Sequence, residues 1–386
     1  MRRHLLVTND FPPKVGGIQT YLWELWRRLP PERTFVYTTP HRGSAAFDAA
    51  ADLAIERSPE PVIGPYPWLV PRLRRHAEAV AADLVLFDPA TPLGLLAPSL
   101  GMPYGVILHG AEVSIPGRIP LSAALLRRVL TGADVVVAGG RYPLVEAERC
   151  ARRALPAVVV PPGVDVDRFR PLRREERRAA RQHFGLAPQD VAVVSVNRLV
   201  PRKGLHLLVR AAARLAPSRP NLRVLLGGTG REAARLQALV TETRAPVRLL
   251  GRLTDEEVPL LYGAGDVMAM LCHDRWAGLE QEGFGIVFLE AAACGIPQIA
   301  GRSGGAAEAV AHGASGLVVD DPRDIDQVAD ALALLVDDPD LRQRLGRQAR
   351  QRAEQEFSYD LLAQRLSEVL DHGPLRPGSI PLTTAR

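Results

Sequence analysis

PPGVDVDRFRPLRREERRAARQHFGLAPQDVAVVSVN, Pro161 to Asn197, is the stretch that decides the fold. It opens on paired prolines, passes through a charged helical run, RREERRAARQHFG, and ends in a β-branched run, VAVVSVN (Val191–Asn197). A proline-rich connection at which strand–helix alternation stops and starts again marks a domain boundary. Upstream lie HLLVTN (His4–Asn9), FVYTT (Phe35–Thr39), LVLFD (Leu84–Asp88), GVILH (Gly105–His109), VVVA (Val135–Ala138) and AVVV (Ala157–Val160), with a helix-like TYLWELWRRL (Thr20–Leu29) after the first. Downstream come RVLLGG (Arg223–Gly228), VRLLG (Val247–Gly251), DVMAML (Asp266–Leu271), PQIAG (Pro297–Gly301) and GLVVD (Gly316–Asp320), each followed by a helical pattern. Strands that read as continuous apolar runs belong to parallel sheets covered by helices on both faces. The alternation predicts an α/β chain of two doubly wound, Rossmann-like domains, 1–165 and 166–372, facing each other across a cleft. The last helix is expected to return to the first domain, and 373–386, rich in Pro, Gly and Thr, to form a flexible tail. Ligands of such domains sit at the carboxyl ends of the strands.

The 386 residues exceed one ordinary core, and 47% hydrophobic with 24% charged residues is a globular balance, which excludes disordered and fibrous classes. No apolar run approaches the roughly 20 residues of a membrane span, and MRRHLLVTNDFPP lacks a secretory pattern, so a cytoplasmic location is expected. Cys150, Cys272 and Cys294 have neither CxxC spacing nor a companion histidine at a ligand interval, which argues against a disulfide framework or zinc site. Four of the five excess positive charges precede residue 161. An arginine-borne excess suits an anionic membrane surface or nucleic acid, or reflects an arginine-rich genome.

Three motifs carry chemistry. In EGFGIVFLEAAACGIP (Glu282–Pro297), Gly283 and Gly285 allow a tight turn into a helix whose free amides and positive dipole end suit a diphosphate. Glu282 and Glu290 stand eight residues apart, roughly 12 Å if helical, so one carboxylate can meet a sugar and the other a ribose. A glycine turn opening a buried helix also serves purely structural ends. NRLVPRKG (Asn197–Gly204) delivers Arg198 and Lys203 to a strand's carboxyl end, where two cations can neutralise a departing diphosphate; its neighbour Arg202 reads as solvated. NDFPPKVGGIQTY (Asn9–Tyr21) places Gly16 and Gly17 before a helix but lacks GxGxxG, and no acidic residue ends FVYTT, so hydride transfer with a dinucleotide is disfavoured.

Together these motifs resemble family 4 of the glycosyltransferases over residues 3–370, with the E-x7-E segment as hallmark. Within that family VTNDFPPKVGGIQ, LVPRKG and GLEQEGFGIVFLEAAACGIPQIAGRSGGAAEAV are similar to the phosphatidylinositol mannosyltransferases of actinobacteria. The resemblance implies a GT-B fold and a retaining transfer of mannose from GDP-mannose to a phosphatidylinositol monomannoside, by an α-1,6 linkage, with no metal cofactor and no nucleic-acid partner. It implies that Gly17, Arg198 and Lys203 hold the donor diphosphate and that Glu290 holds the ribose. Glu282 and the backbone of Phe284, Gly285 and Ile286 would meet sugar hydroxyls and phosphates, while Gly251 and Arg252 would lie at the base. His109 would stand near the transferred sugar; Asp10 and Gln19 would face the acceptor. HGAEVSIPGR and CHDRWAG depart most from the family pattern, which leaves acceptor identity open.

Asp165 and Asp167 spell DxD, a metal motif elsewhere, but within the linker they are expected to be structural, and GGTGR (Gly227–Arg231) resembles an ordinary family turn. No carboxylate in the motifs is an evident nucleophile, which favours same-face substitution. Rival readings are another family 4 transferase with a different GDP- or UDP-sugar and acceptor, and a silent nucleotide-sugar-binding module. PVIGPYPWLVPRLRRH (Pro61–His76) and LSAALLRRVL (Leu121–Leu130) combine apolar and basic residues; they form either core with solvated arginines or a peripheral attachment to the anionic inner face of the plasma membrane.

Overall fold

The computed structural model describes residues 2–276, 278 and 280–372; the segment 373–386 expected to be a flexible tail lies outside the described residues. The chain divides into two compact units, one of residues 1–162 with 359 onward, the other of residues 163–358.

The first unit contains seven parallel strands: β1 (His4–Thr8), β2 (Thr34–Thr38), β3 (Ala54–Arg57), β4 (Leu84–Asp88), β5 (Tyr104–Leu108), β6 (Val135–Ala138) and β7 (Ala157–Val159). Their order is β3-β2-β1-β4-β5-β6-β7. β1, β4, β5 and β6 are buried along their whole length, as doubly covered strands must be. One face carries a cluster of Leu5, Val7, Val85, Phe87, Val106 and Leu108; the other packs Leu6, Leu86, Ile107 and Val137 against the helix Gly17–Trp26 and the last helix, Tyr359–His372. That last helix contributes Tyr359, Leu362, Leu366, Val369 and Leu370 to the core of the first unit.

The second unit contains β8 (Val191–Val196), β9 (Leu222–Gly227), β10 (Val247–Gly251), β11 (Val267–Met270), β12 (Gln298–Gly301) and β13 (Gly316–Val319), all parallel, ordered β10-β9-β8-β11-β12-β13. In each sheet the order reverses beside the first strand, between β1 and β4 and between β8 and β11. Loops leaving those strands part there, which is where open α/β sheets bind ligands.

Several expectations need correction. β3 was not foreseen: its sequence, AIER, alternates exposed and half-buried residues at the sheet edge. The first helix begins at Gly17 rather than Thr20. β11 is followed by a long loop, with the next helix only at Ile286–Ala293. In the first apolar and basic stretch, Leu69 and Leu73 are fully buried, whereas Tyr66 and Trp68 are exposed and stacked at 4.6 Å. In the second, Leu126, Val129 and Leu130 are core while Leu121 and Leu125 face solvent. The three cysteines are free and buried.

Candidate functional site

Beyond β8 the chain turns through Pro201–Lys203 into Gly204, whose φ of +66° suits glycine. A Cβ there would lie 1.9 Å from the carbonyl oxygen of Leu271, so the loop runs flush against the end of β11. Lys203 is thereby pressed inward, only 7% exposed, and its Nζ donates to Glu282 Oε2 at 2.8 Å. Glu282 is equally buried, so each charge compensates the other where neither could stand alone. Arg202 is not the solvated cation its sequence suggested. Its Nε lies 3.5 Å from the same Glu282 oxygen and its Nη1 3.8 Å from Glu280, which Arg275 also holds. Arg198, by contrast, is exposed and has no side-chain partner among the described residues.

The glutamate loop is held from behind by the segment after β12. A Cβ on Gly304 (φ +47°) would fall 2.1 Å from the Glu282 carbonyl oxygen, and one on Gly305 2.2 Å from that of Gly283. Gly305 N donates to Glu282 O, and Glu282 N donates to Ser303 Oγ, which itself donates to Asp274 at 2.6 Å. Gly285, at φ +87°, opens the helix Ile286–Ala293. The amides of Gly283, Phe284, Gly285, Ile286 and Val287 reach no acceptor among the described residues, leaving a row of donors at a helix N-terminus. The Phe284 ring is buried near Phe357, so only its backbone is available to a ligand. Helix begins only at Ile286, so the helical spacing assumed from Glu282 to Glu290 does not hold.

Glu290 lies on that helix, half-buried, and accepts a hydrogen bond from Tyr262 Oη at 3.2 Å. Burial pushes its carboxyl up to about 7, against the opposing pull of the Tyr262 hydrogen bond and the Arg168 charge. Gly251 ends β10 at φ +72° with open space where a Cβ would be, and Arg252 beside it is exposed. The GGTGR turn has a packing role: a Cβ on Gly228 or Gly230 would strike the carbonyl oxygens of Asn197 and Leu199 at 2.0 and 2.3 Å. Asp165 accepts from the amides of Asp167 and Arg168, closing a turn.

In the first unit Gly17 is exposed at the start of its helix, and the amides of Gly17, Ile18 and Gln19 have no acceptor among the described residues. Gln19 is buried and donates to Asp10 Oδ1 at 2.6 Å; Lys14 donates to the same oxygen at 2.9 Å. Asp10 N donates to Thr8 Oγ1, and Thr8 donates to Asp88 Oδ2 at 2.7 Å. The other Asp88 oxygen lies 2.5 Å from His109 Nε2. Burial alone pulls His109 down, but the Asp88 carboxylate, with Glu112 and Asp10, outweighs it and raises the imidazole above its ordinary value. Tyr21 meets the imidazole edge-on, and Glu112 accepts from the amides of His109 and Gly110.

The structure therefore gathers Asp10, Gln19 and His109 at the β1–β4 switch point, and Lys203, Glu282 and the free amides at the β8–β11 switch point. Sequence reasoning missed Asp88, Glu112, Tyr262 and the Asp274–Ser303 prop. Asp88 left a signal, a charge ending an apolar strand at the ligand edge; the others are recognisable only once their partners are in place. Among the described residues no group of three or more His, Cys, Asp or Glu side chains is placed to hold a metal ion.

A family model described as Glycosyltransferase Family 4 matches residues 15–168, and one described as Glycosyl transferases group 1 matches residues 176–352. The chain belongs to the family 4 glycosyltransferases, with the GT-B pairing of two Rossmann-like units. It is 35% identical to the GDP-mannose-dependent monoacylated alpha-(1-6)-phosphatidylinositol monomannoside mannosyltransferase of Corynebacterium glutamicum, over 97% of this chain and 99% of that one. It is 39% identical to the GDP-mannose-dependent alpha-(1-6)-phosphatidylinositol monomannoside mannosyltransferase of Mycobacterium tuberculosis, over 96% and 98%. The crystal structure of Anabaena HepE in complex with UDP and glucose superposes with a TM-score of 0.78 at 22% identity, covering 96% of this chain and all of that one.

Proposed function

We propose that this chain transfers mannose from GDP-mannose to a phosphatidylinositol monomannoside, with retention and an α-1,6 linkage. The observation that carries the proposal is similarity at 35–39% identity across both units to enzymes bearing that description. The acceptor-side motifs are therefore covered as well as the donor-side ones.

As the nucleoside diphosphate leaves, negative charge grows on its phosphate oxygens and positive charge on the anomeric carbon. Arg198, Lys203 and the amides from Gly283 to Ile286 oppose the first, and the amide of Gly17 adds to them. Glu282 takes sugar hydroxyls, Glu290 the ribose, and Gly251 and Arg252 border the base. Asp10 and Gln19 receive the acceptor, and His109, whose charged form Asp88 favours, stands at the transferred sugar. In same-face substitution the acceptor hydroxyl gives its proton to the departing phosphate oxygen while its own oxygen bonds to the anomeric carbon. The Lys203 pairing supports a binding role for Glu282 rather than a nucleophilic one. The acceptor's acyl chains stay in the bilayer, so the enzyme works as a peripheral protein at the inner membrane face.

The test is to incubate the protein with GDP-mannose or UDP-glucose and candidate acceptors, and to identify products by mass and anomeric configuration. A dimannosylated lipid formed from GDP-mannose, unchanged in excess EDTA, is expected. Transfer only from UDP-glucose or only to a soluble acceptor would replace the substrates; strict dependence on added magnesium would return Asp165 and Asp167 to consideration as ligands.

A further inference from the structure

Tyr262 lies on the helix Glu257–Ala264, which follows β10, and is fully buried with its ring edge against Phe169. A buried phenol requires an acceptor for its hydroxyl. Here the acceptor is Glu290 Oε2, on the neighbouring helix Ile286–Ala293. Among the described residues that is the side-chain hydrogen bond Glu290 makes; Oε1 has no partner, and the residue keeps partial access to solvent. The carboxylate thus has one oxygen fixed to the core and the other free.

We infer that Tyr262 is the positioning residue for Glu290, anchoring Oε2 so that Oε1 is presented to a ribose hydroxyl of the donor nucleoside diphosphate. The inference rests on the proposed ribose role of Glu290. Three further titratable groups surround the pair. Arg168 comes from the connection before the helix Arg174–His183, and Cys294 ends the helix of Glu290 itself. Arg350, on the helix Pro339–Glu356, donates to the Ala293 carbonyl. Burial favours the neutral carboxyl, while the phenol and Arg168 favour the carboxylate. Removing the hydroxyl therefore both frees the side chain to rotate and leaves more of it protonated near neutrality, where it accepts ribose hydroxyls less well.

The test uses the full chain, with GDP and 2′,3′-dideoxy-GDP as probes, titrated calorimetrically from pH 6 to 9 in wild type, Tyr262→Phe and Glu290→Gln. Wild type should prefer GDP. Tyr262→Phe should weaken GDP binding by about five- to tenfold at pH 7, the range of one hydrogen bond, with the deficit narrowing toward pH 9 and dideoxy-GDP binding unchanged. Glu290→Gln should weaken GDP at every pH and remove the pH trend. GDP affinity in Tyr262→Phe equal to wild type at pH 7 would overturn the assignment. Equal losses for both probes at every pH would reduce Tyr262 to a packing role and also overturn it. Wild type that binds the two probes alike would instead sink the ribose role of Glu290, and that outcome is visible without any variant.

Discussion

Lys203 and Glu282 neutralise each other in the ligand-free chain, so a diphosphate must compete with a carboxylate for its cation. Lys203→Ala should lower turnover about 100- to 1000-fold, the usual result of removing a preorganised charge from a leaving group. It should also lower the unfolding temperature, because Glu282 would stay buried with Arg202 at 3.5 Å as its remaining cation. Adding Glu282→Gln should restore the unfolding temperature but not the turnover, and near-normal turnover in Lys203→Ala would reject the assignment. The Asp88–His109 pair gives a second expectation with a definite sign. Because the folded-state value of His109 is raised, its pairing contributes full stability below the unfolded value of about 6.5 and loses it as pH rises through the folded value. Asp88→Asn should therefore cost on the order of 1–3 kcal/mol at pH 6 and progressively less toward pH 9. The activity limb that depends on protonated His109 should move to lower pH. A stability gap that does not vary with pH would show that the pair is not charged.

At the scale of elements, the donor loop owes its course to glycines on a neighbouring loop. Gly304→Ala would drive a methyl into the Glu282 carbonyl from a left-handed backbone, and the collision is with main chain that cannot rotate aside. GDP affinity should fall at least tenfold while circular dichroism and cooperative unfolding persist; unchanged affinity would mean that the prop is dispensable. Strands buried on both faces were legible in the sequence because burial demands continuous apolar runs, and β4 and β6 occupy the residues read for them. β3 was not, since an edge strand can alternate charged and half-exposed residues and look like a loop. The glycine-opened helix with its two glutamates was legible as a motif. Asp274, Ser303 and Tyr262 were not, because they act through contacts with residues distant in sequence, and no local pattern encodes such partners.

For the whole molecule, membrane attachment is the expectation to check. Trp68 stands 64% exposed and stacked on Tyr66, and Arg75 is exposed with no ion pair among the described residues; Arg74 instead donates to the Leu100 carbonyl. Each basic group near an anionic surface adds about 1 kcal/mol, so flotation with anionic liposomes should weaken with salt and weaken further in a Trp68→Ala, Arg75→Ala variant. Equal flotation of variant and wild type would remove this patch from the interface. The helix Tyr359–His372 has another consequence, one for biosynthesis. Because the first unit takes Leu362, Leu366 and Leu370 into its core, the core built from residues 1–162 is completed only after the whole second unit has been synthesised. At about 5–20 residues per second, the roughly 200 intervening residues hold that core open for about 10–40 s. Throughout that interval the faces of Leu22, Trp26 and Leu86 that await the helix are bare, and the nascent chain must be kept from its neighbours until that helix has been made.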